Sequence, residues 1–260
     1  VTGLVFLNGQ AVDMGFLALS GALGIGVGDT AYFGALNRLG PRLALLLEAV
    51  APIVTAALAW VRLQEELTLT TLLGRGIAIG GITWTLAEQT AASVASVGSQ
   101  AKLRGVIWGI VAALAQASSS VIARGTLVAG DVDPLESALV RLGAGSALAL
   151  AIATTLQLFK PSQSDPPLGS LEAPGAKVQP SLSLNAGFRL VLATVLGTYL
   201  GIWLQQTALK YTLAGIAQTC LATTPLFILP ILYCTGERFS KRAIAGAMVT
   251  VLGIIVLVQN

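Results

Sequence analysis

Residues 24–52, GIGVGDTAYFGALNRLGPRLALLLEAVAP, and residues 197–225, GTYLGIWLQQTALKYTLAGIAQTCLATTP, are two long apolar phrases punctuated at matching places. A shift of 173 residues carries Gly24 onto Gly197, Gly28 onto Gly201, Ala35-Leu36 onto Ala208-Leu209, Ala44 onto Ala217 and Pro52 onto Pro225. After one dropped residue, a shift of 172 carries Glu65 onto Glu237, Gly74 onto Gly246 and Gly81-Ile82 onto Gly253-Ile254. Glycine and proline mark backbone geometry, so their coincidence at one spacing over three helices points to duplication of one unit.

The rest of the chain has the same oily character. Of 260 residues, 55% are hydrophobic and 10% charged, against about 25% charged in an ordinary soluble domain. Mean hydropathy is +0.81. So little charge cannot cover a water-facing surface, and the apolar runs are about as long as the roughly 20 residues a helix needs to cross ~30 Å of hydrocarbon. The runs are continuous and rich in Leu, Ala and Gly, as in Leu43–Leu47 and Val249–Val258. A membrane β-barrel would need alternating polarity instead. There is no His, which removes the commonest metal ligand and neutral-pH base. Cys220 and Cys234 form neither a CxxC pair nor a disulfide framework and read as small packing residues. No catalytic group, metal site or cofactor is expected. The net charge of +3 sits mainly in loops and speaks to membrane orientation, with no nucleic-acid partner expected.

About eight spans are predicted, near 14–36, 40–61, 68–87, 104–127, 136–159, 188–209, 212–234 and 240–258. Gly40-Pro41 separates the first two. Small, polar residues around 88–104 read as a linker between halves, and the Pro/Ser/Gly-rich stretch 160–187 as an exposed flexible loop. The expected organisation is a first unit over 1–90, a linker over 91–103, and a second unit over 104–260. The second unit shows five helices and the first only three, so two more helices, about 70 residues, are expected before Val1. Five helices is an odd number, so the second copy enters the membrane from the opposite side, as in inverted-repeat transporters.

Gly24 with Gly28, and Gly197 with Gly201, place side-chain-free positions on one helix face and are predicted to pack helices closely. Pro52 and Pro225 each remove a backbone donor inside an apolar run. A paired helix break of this kind is the pointer to a site near the midplane, and the two prolines are candidate break or gating positions. Glu65 and Glu237 end helices and read as structural, capping the next helix or pairing with Arg62 or Arg238. Asp29 and Glu48 are the strongest candidates for binding a solute or a proton, because ionisable groups inside a membrane usually face a cavity or each other. They have no charged repeat mate (Ile202 and Leu221 stand there). Arg75 is equally unpaired, and an ion pair with Asp29 or Glu48 is its plainer reading. Gln116, Gln205, Gln206, Gln218 and Thr219 would supply uncharged polar contacts, joined by Ser118–Ser120 and Arg141, although Ser and Thr also bond their own helix carbonyls.

The phrase Gly28-Asp29-Thr30-Ala31-Tyr32-Phe33-x-Ala35-Leu36, then Pro52, Glu65 and the Gly74…Gly81 helix, resembles the EamA domain of the drug/metabolite transporter superfamily. The second copy, Ala208-Leu209…Thr224-Pro225…Gly236-Glu237…Gly246…Gly253, resembles the same domain. The first copy departs from it in having Gln64-Glu65 where the motif has Gly-Glu. The resemblance implies an all-α bundle of ten helices in two inverted repeats, with both termini cytoplasmic and a central cavity. It also implies export or exchange of amino acids, metabolites, drugs or nucleotide sugars. A cytoplasmic C-terminus would leave Arg38, Arg42, Lys102, Arg104, Arg238, Lys241 and Arg242 outside, and the positive-inside rule favours the reverse.

The function expected is therefore an integral, multi-pass secondary transporter of a small organic solute in a bacterial inner membrane. Protons are the candidate coupling ion and a homodimer the candidate assembly. A lipid-modifying enzyme would present clustered acids, His or Cys, which the chain lacks. A non-transporting membrane subunit is the other rival.

Overall fold

A computed structural model of the chain describes residues 10–65, 68–94, 99–130, 132–158, 184–223 and 241–258. These residues form helices joined by turns. The first helix runs as α1 (Gln10–Gly21), a π-helical segment (Ala22–Asp29) and α2 (Thr30–Glu48). Then come α3 (Ala51–Leu63), α4 (Leu69–Val94), α5 (Ser99–Ala129) and α6 (Pro134–Leu158). In the second half α7 (Leu184–Ala193) leads through another π-helical segment (Thr194–Tyr199) into α8 (Leu200–Tyr211), followed by α9 (Ala214–Leu221) and α10 (Lys241–Val258).

Among the described residues, the stretches Asp13–Gly40, Leu43–Leu63, Lys102–Ala129 and Pro134–Thr155 are long and apolar enough to cross a membrane. Large apolar side chains such as Phe33, Trp60, Leu69, Phe188 and Met248 stay exposed. The interior is built largely of alanine, including Ala31, Ala35, Ala112, Ala117 and Ala123. That is the distribution expected when lipid, not water, surrounds the bundle: small residues bring backbones together, and large apolar ones face outward. The protein is an all-α, polytopic transmembrane bundle.

The helix ends differ from expectation in an informative way. The chain does break at Gly40, whose φ of 79° suits a residue without Cβ, yet helix resumes and continues to Glu48. The second break falls at Ala49–Val50, and Pro52 lies buried in the first turn of α3. In a first turn the missing proline N–H has no helical partner to lose, so Pro52 opens a helix and does not kink one from within. Pro225 and the later part of the span predicted at 212–234 lie outside the described residues, as do Glu237 and most of the loop predicted at 160–187. Helix also fills much of the expected linker, since α4 continues to Val94 and α5 starts at Ser99.

The two halves share backbone detail. Ala49 N–H donates to Leu45 O at 3.1 Å and Val50 N–H to Leu47 O at 3.1 Å. At the repeat mates, Ala222 N–H donates to Gln218 O at 3.0 Å and Thr223 N–H to Cys220 O at 3.2 Å. The φ/ψ pair is −63°/−10° at Ala49 and −63°/−12° at Ala222. Under the same shift the second π-helical segment overlaps the first.

The tightest packing joins α4 to its repeat mate α10. A Cβ placed on Gly81 would lie 2.7 Å from the Gly246 carbonyl, and one on Gly253 would lie 2.8 Å from the Gly74 carbonyl. Gly81 and Gly253 are mates, as are Gly74 and Gly246, so each residue meets the partner of the other's contact, the signature of a local twofold. Residue numbers run in opposite directions across the contact, with Gly74 beside Leu257 and Gly81 beside Thr250. Antiparallel helices can be exchanged only by an axis lying across them. For membrane-spanning helices that axis lies in the plane of the bilayer, which makes the repeats inverted.

Candidate functional site

The site forms where the two π-helical stretches come together. A cavity of about 240 Å³ is lined by Ile25 and Asp29 from the first, and by Gly197, Thr198, Ile202 and Gln205 from the second and from α8. Gln116 of α5 and Arg141 of α6 complete its wall. Ile25 and Thr198 are repeat mates, and so are Asp29 and Ile202, so corresponding turns of the two halves face each other across the space. A second cavity of about 220 Å³ shares Asp29 and Gln116 with the first and adds Gly28, Tyr32, Glu48 and Ala112. Asp29 and Gln116 thus border both spaces. Gln116 lies near the middle of its apolar span and Asp29 just past the middle of its own.

Local sequence explains the opening. The first π-helical segment reads ALGIGVGD, with Gly24, Gly26 and Gly28 all buried. A π turn is wider than an α turn and is seldom extended without a reason. Here the glycines let that turn press on its neighbours. A Cβ at Gly24 would lie 3.1 Å from Gln116 Oε1 and would collide with Ser119 Oγ, and one at Gly28 would lie 3.6 Å from the Ala115 methyl. Glu48 sits at the break before α3. Pro52 cannot send the N–H that an unbroken helix would supply to the Glu48 carbonyl, so a charged side chain and a loosened backbone coincide at the second cavity.

Arg141 is held from several sides. It is 2% exposed. Its Nη2 donates to Ser119 Oγ at 2.9 Å, and Ser119 Oγ donates to the Ser20 carbonyl at 2.7 Å. A Cβ at Gly21 would run into the Arg141 backbone, 2.5 Å from its Cα, so the α6 chain lies directly against α1. Nε and Nη1 of Arg141 are buried with no hydrogen-bond partner. Asp29 shares the cavity with Arg141 but makes no ion pair with it, the ion pair among the described residues being Glu65–Arg124.

The candidates drawn from sequence divide into two groups. Asp29, Glu48, Gln116 and Gln205 line one or both of the two cavities. Gln206, Gln218 and Thr219 are buried away from them. Gln206 Oε1 accepts from Ser137 Oγ at 3.2 Å, Gln218 Nε2 donates to Ser120 Oγ, and Thr219 Oγ1 donates to the Gly215 carbonyl at 2.7 Å. Gly24 is pressed against Gln116 and Ser119, and a Cβ at Gly28 would meet Ala115 at ordinary contact distance. At Gly197 and Gly201 a Cβ would meet nothing within 4 Å among the described residues, and Gly197 lines the cavity. Arg75 pairs with neither Asp29 nor Glu48. It is 4% exposed and lies over Gly215, where a Cβ would sit 2.8 Å from its Cζ.

Glu65 is structural, with partners other than Arg62 or Arg238. Gln64 takes a left-handed φ of 54°, and Glu65 N–H turns back to the Ala59 carbonyl at 3.4 Å. The carboxylate then accepts from Arg124 Nε of α5 and, at 3.2 Å, from Ala214 N–H at the start of α9. Arg124 Nη1 also donates to the Leu209 carbonyl at 2.6 Å. One acid therefore ties α3 to α5 and caps a helix in the other half. The π-helical stretches and the weight carried by Arg141 escaped the sequence reading. The one available signal was an arginine about two turns into an apolar span.

No curated protein matches the chain. A solved crystal structure superposes with a TM-score of 0.68 at 17% identity, covering 99% of this chain and 79% of that one, a likeness of fold. The family model described as "EamA-like transporter family" matches residues 2–87 and 103–259. With nearly the whole chain matched, and a helical bundle of the corresponding kind, the protein belongs to the EamA-like transporter family.

Proposed function

We propose that this chain is a secondary transporter that carries a small organic solute across a bacterial plasma membrane by alternating access of its two inverted repeats. Membership of the family already makes it a multi-pass membrane protein of transporter type. The finer reading is supported by one observation above the others: a polar cavity, deep in an apolar bundle, walled by corresponding turns of both halves. Rocking one half against the other would change which side of the membrane that cavity opens to, while its lining stayed together. Asp29 and Glu48 are the groups to bind a proton or the cationic part of a solute. Gln116 and Gln205 would orient it. The break at Ala49–Val50 gives the helix that carries Glu48 a natural hinge.

The test is solute counterflow in proteoliposomes at several pH values, with Asp29→Asn and Glu48→Gln. The reading expects at least one of the two variants to lose about tenfold in rate, or to lose its dependence on pH. Full activity with unchanged pH dependence in both would remove these residues from the mechanism. Absence of counterflow for every solute in a broad screen would remove the transport reading itself and favour a non-transporting membrane subunit.

A further inference from the structure

We propose that Arg75 is the second partner of Glu65: when the halves part at that end of the bundle, the acid passes from Arg124 in the other half to Arg75 in its own. The proposal rests on the alternating-access reading and names an ion-pair exchange that lets one end open.

In this structure that end is shut. Ala59 of α3 lies in one buried apolar cluster with Ala123 and Leu127 of α5, Leu209 of α8, and Ala214 and Ala217 of α9. Glu65 pins the same elements, accepting from Arg124 Nε and, at 3.2 Å, from the Ala214 N–H. α3 belongs to the first half, and α5, α8 and α9 to the second, so Ala59 and Glu65 hold one half to the other. Opening this end breaks both bonds of Glu65 at once. The residue is buried at 9% exposure, and a buried carboxylate that loses its cation is strongly destabilising unless another cation replaces it.

Arg75 is placed to replace it. It stands about two turns into α4, which follows α3 through a short turn, so Glu65 and Arg75 travel together in the first half. Its Nε and Nη1 are buried with no hydrogen-bond partner among the described residues. A buried cation with unmet donors is costly, and an apolar residue would fill a purely packing role as well or better. What covers Arg75 is α9. Glycine at 215 lets that helix lie on the guanidinium, since a Cβ there would sit 2.8 Å from Arg75 Cζ. Glu65 bonds to Ala214 and Arg75 packs on Gly215, and consecutive Cα atoms are only about 3.8 Å apart. Glu65 is also the acid whose charge acts on Arg75. One displacement of α9 therefore releases the acid and uncovers the cation beside it. The exchange does not strand Arg124, because its Nη1 keeps the Leu209 carbonyl of its own half at 2.6 Å.

The experiment uses the full chain, purified in detergent, with Cys220→Ala, Cys234→Ala and a reporter, Ala217→Cys. Ala217 is 3% exposed inside the shut cluster, so a small water-soluble methanethiosulfonate reaches the reporter when this end opens. Arg124→Gln removes the partner of the shut state and should speed labelling about tenfold or more. Arg75→Gln removes the partner of the open state and should slow labelling about tenfold below the unsubstituted reporter protein. Arg75→Lys, which keeps the charge, should stay within about threefold of it. Thermal unfolding gives a second readout. Arg124→Gln should lower Tm, whereas Arg75→Gln should leave it unchanged or raise it, because the shut structure leaves those guanidinium donors unmet. An Arg75→Gln protein that labels at the same rate or faster, that melts lower, or that fails to fold would overturn the proposal, as would equal slowing by Arg75→Lys. These outcomes stand without Arg124→Gln. If the reporter labels neither alone nor with Arg124→Gln, this end does not open, and the alternating-access reading falls together with the exchange. If it labels in both, that reading survives and the Arg75 variants judge the exchange alone.

Discussion

Replacing Gly253 by alanine should weaken the protein, and replacing its mate Gly81 should weaken it by the same amount. At Gly253 the new methyl would lie 2.7 Å from Ala78 Cα and 2.8 Å from the Gly74 carbonyl; at Gly81 it would lie 2.5 Å from Thr250 N and 2.7 Å from the Gly246 carbonyl. Real Cβ atoms essentially never approach closer than 3.0 Å. Apart from the Thr250 hydroxyl at Gly81, the atoms in the way are backbone, which cannot rotate aside, so α4 and α10 must part by roughly half an ångström along the contact. A gap of that size forfeits about a quarter of the dispersion attraction of each facing atom pair, and forced overpacking of this kind costs about 1–3 kcal/mol. Gly76 and Gly80 lie on the other face of α4, where a Cβ meets nothing within 4 Å. There alanine should be neutral or stabilise by up to about 1 kcal/mol through helix propensity. The assay is reversible unfolding in mixed micelles followed by circular dichroism, comparing the four single variants. A local twofold requires the Gly81 and Gly253 costs to agree within about 0.5 kcal/mol. If Gly81→Ala proved as harmless as Gly80→Ala, or if the two mates differed by more than about 2 kcal/mol, the close antiparallel contact and its symmetry would both be refuted.

Other outcomes follow from the same geometry. Glu65→Ala leaves Arg124 and the Ala214 N–H without their acceptor and should cost about 3 kcal/mol in the same unfolding assay, whereas Glu65→Gln, whose amide oxygen still accepts from both, should cost about half as much. Pro52→Ala returns a donor to the carbonyl of Glu48 and so favours an unbroken helix; counterflow should slow severalfold while unfolding stability stays within about 1 kcal/mol, and an unchanged rate would mean that the break does not serve as a hinge. Inverted repeats place the start of α4 at Leu69 and the start of α10 at its mate Lys241 on opposite faces of the membrane, so single cysteines there should react with an impermeant maleimide from opposite sides of oriented vesicles. Labelling of both from one side would contradict the inversion read from α4 and α10.

Much of the fold was legible because it rests on properties local in sequence. Hydropathy depends on run length alone, and a run of apolar residues must form helix in lipid, where unmet backbone groups have no water to turn to. Glycine and proline spacing announced the duplication, and the break near Pro52 followed from chemistry that proline carries anywhere. Even so, the break fell two residues before Pro52, since proline is comfortable at the start of a helix and costly inside one. Asp29 and Glu48 could be singled out because an acid in an apolar run needs an environment, whatever that environment is.

Which polar side chain meets the cavity was another matter. Gln205 and Gln206 are adjacent and chemically identical, yet one lines the cavity and the other is buried against Ser137. Neighbours on a helix point about 100° apart, and helix rotation is set by packing against elements distant in the chain. The π-helical turns shift that rotation again, so a helical wheel drawn from sequence is out of phase beyond them. Arg141 shows the same limit, since its surroundings are Ser20, Gly21, Ser119 and Asp29, brought in from two other stretches of the chain. Sequence by itself determined that the chain is a duplicated bundle of membrane helices with acids inside it. Only the tertiary structure decided which charges share a space, because that depends on how helices turn toward one another and not on what each contains.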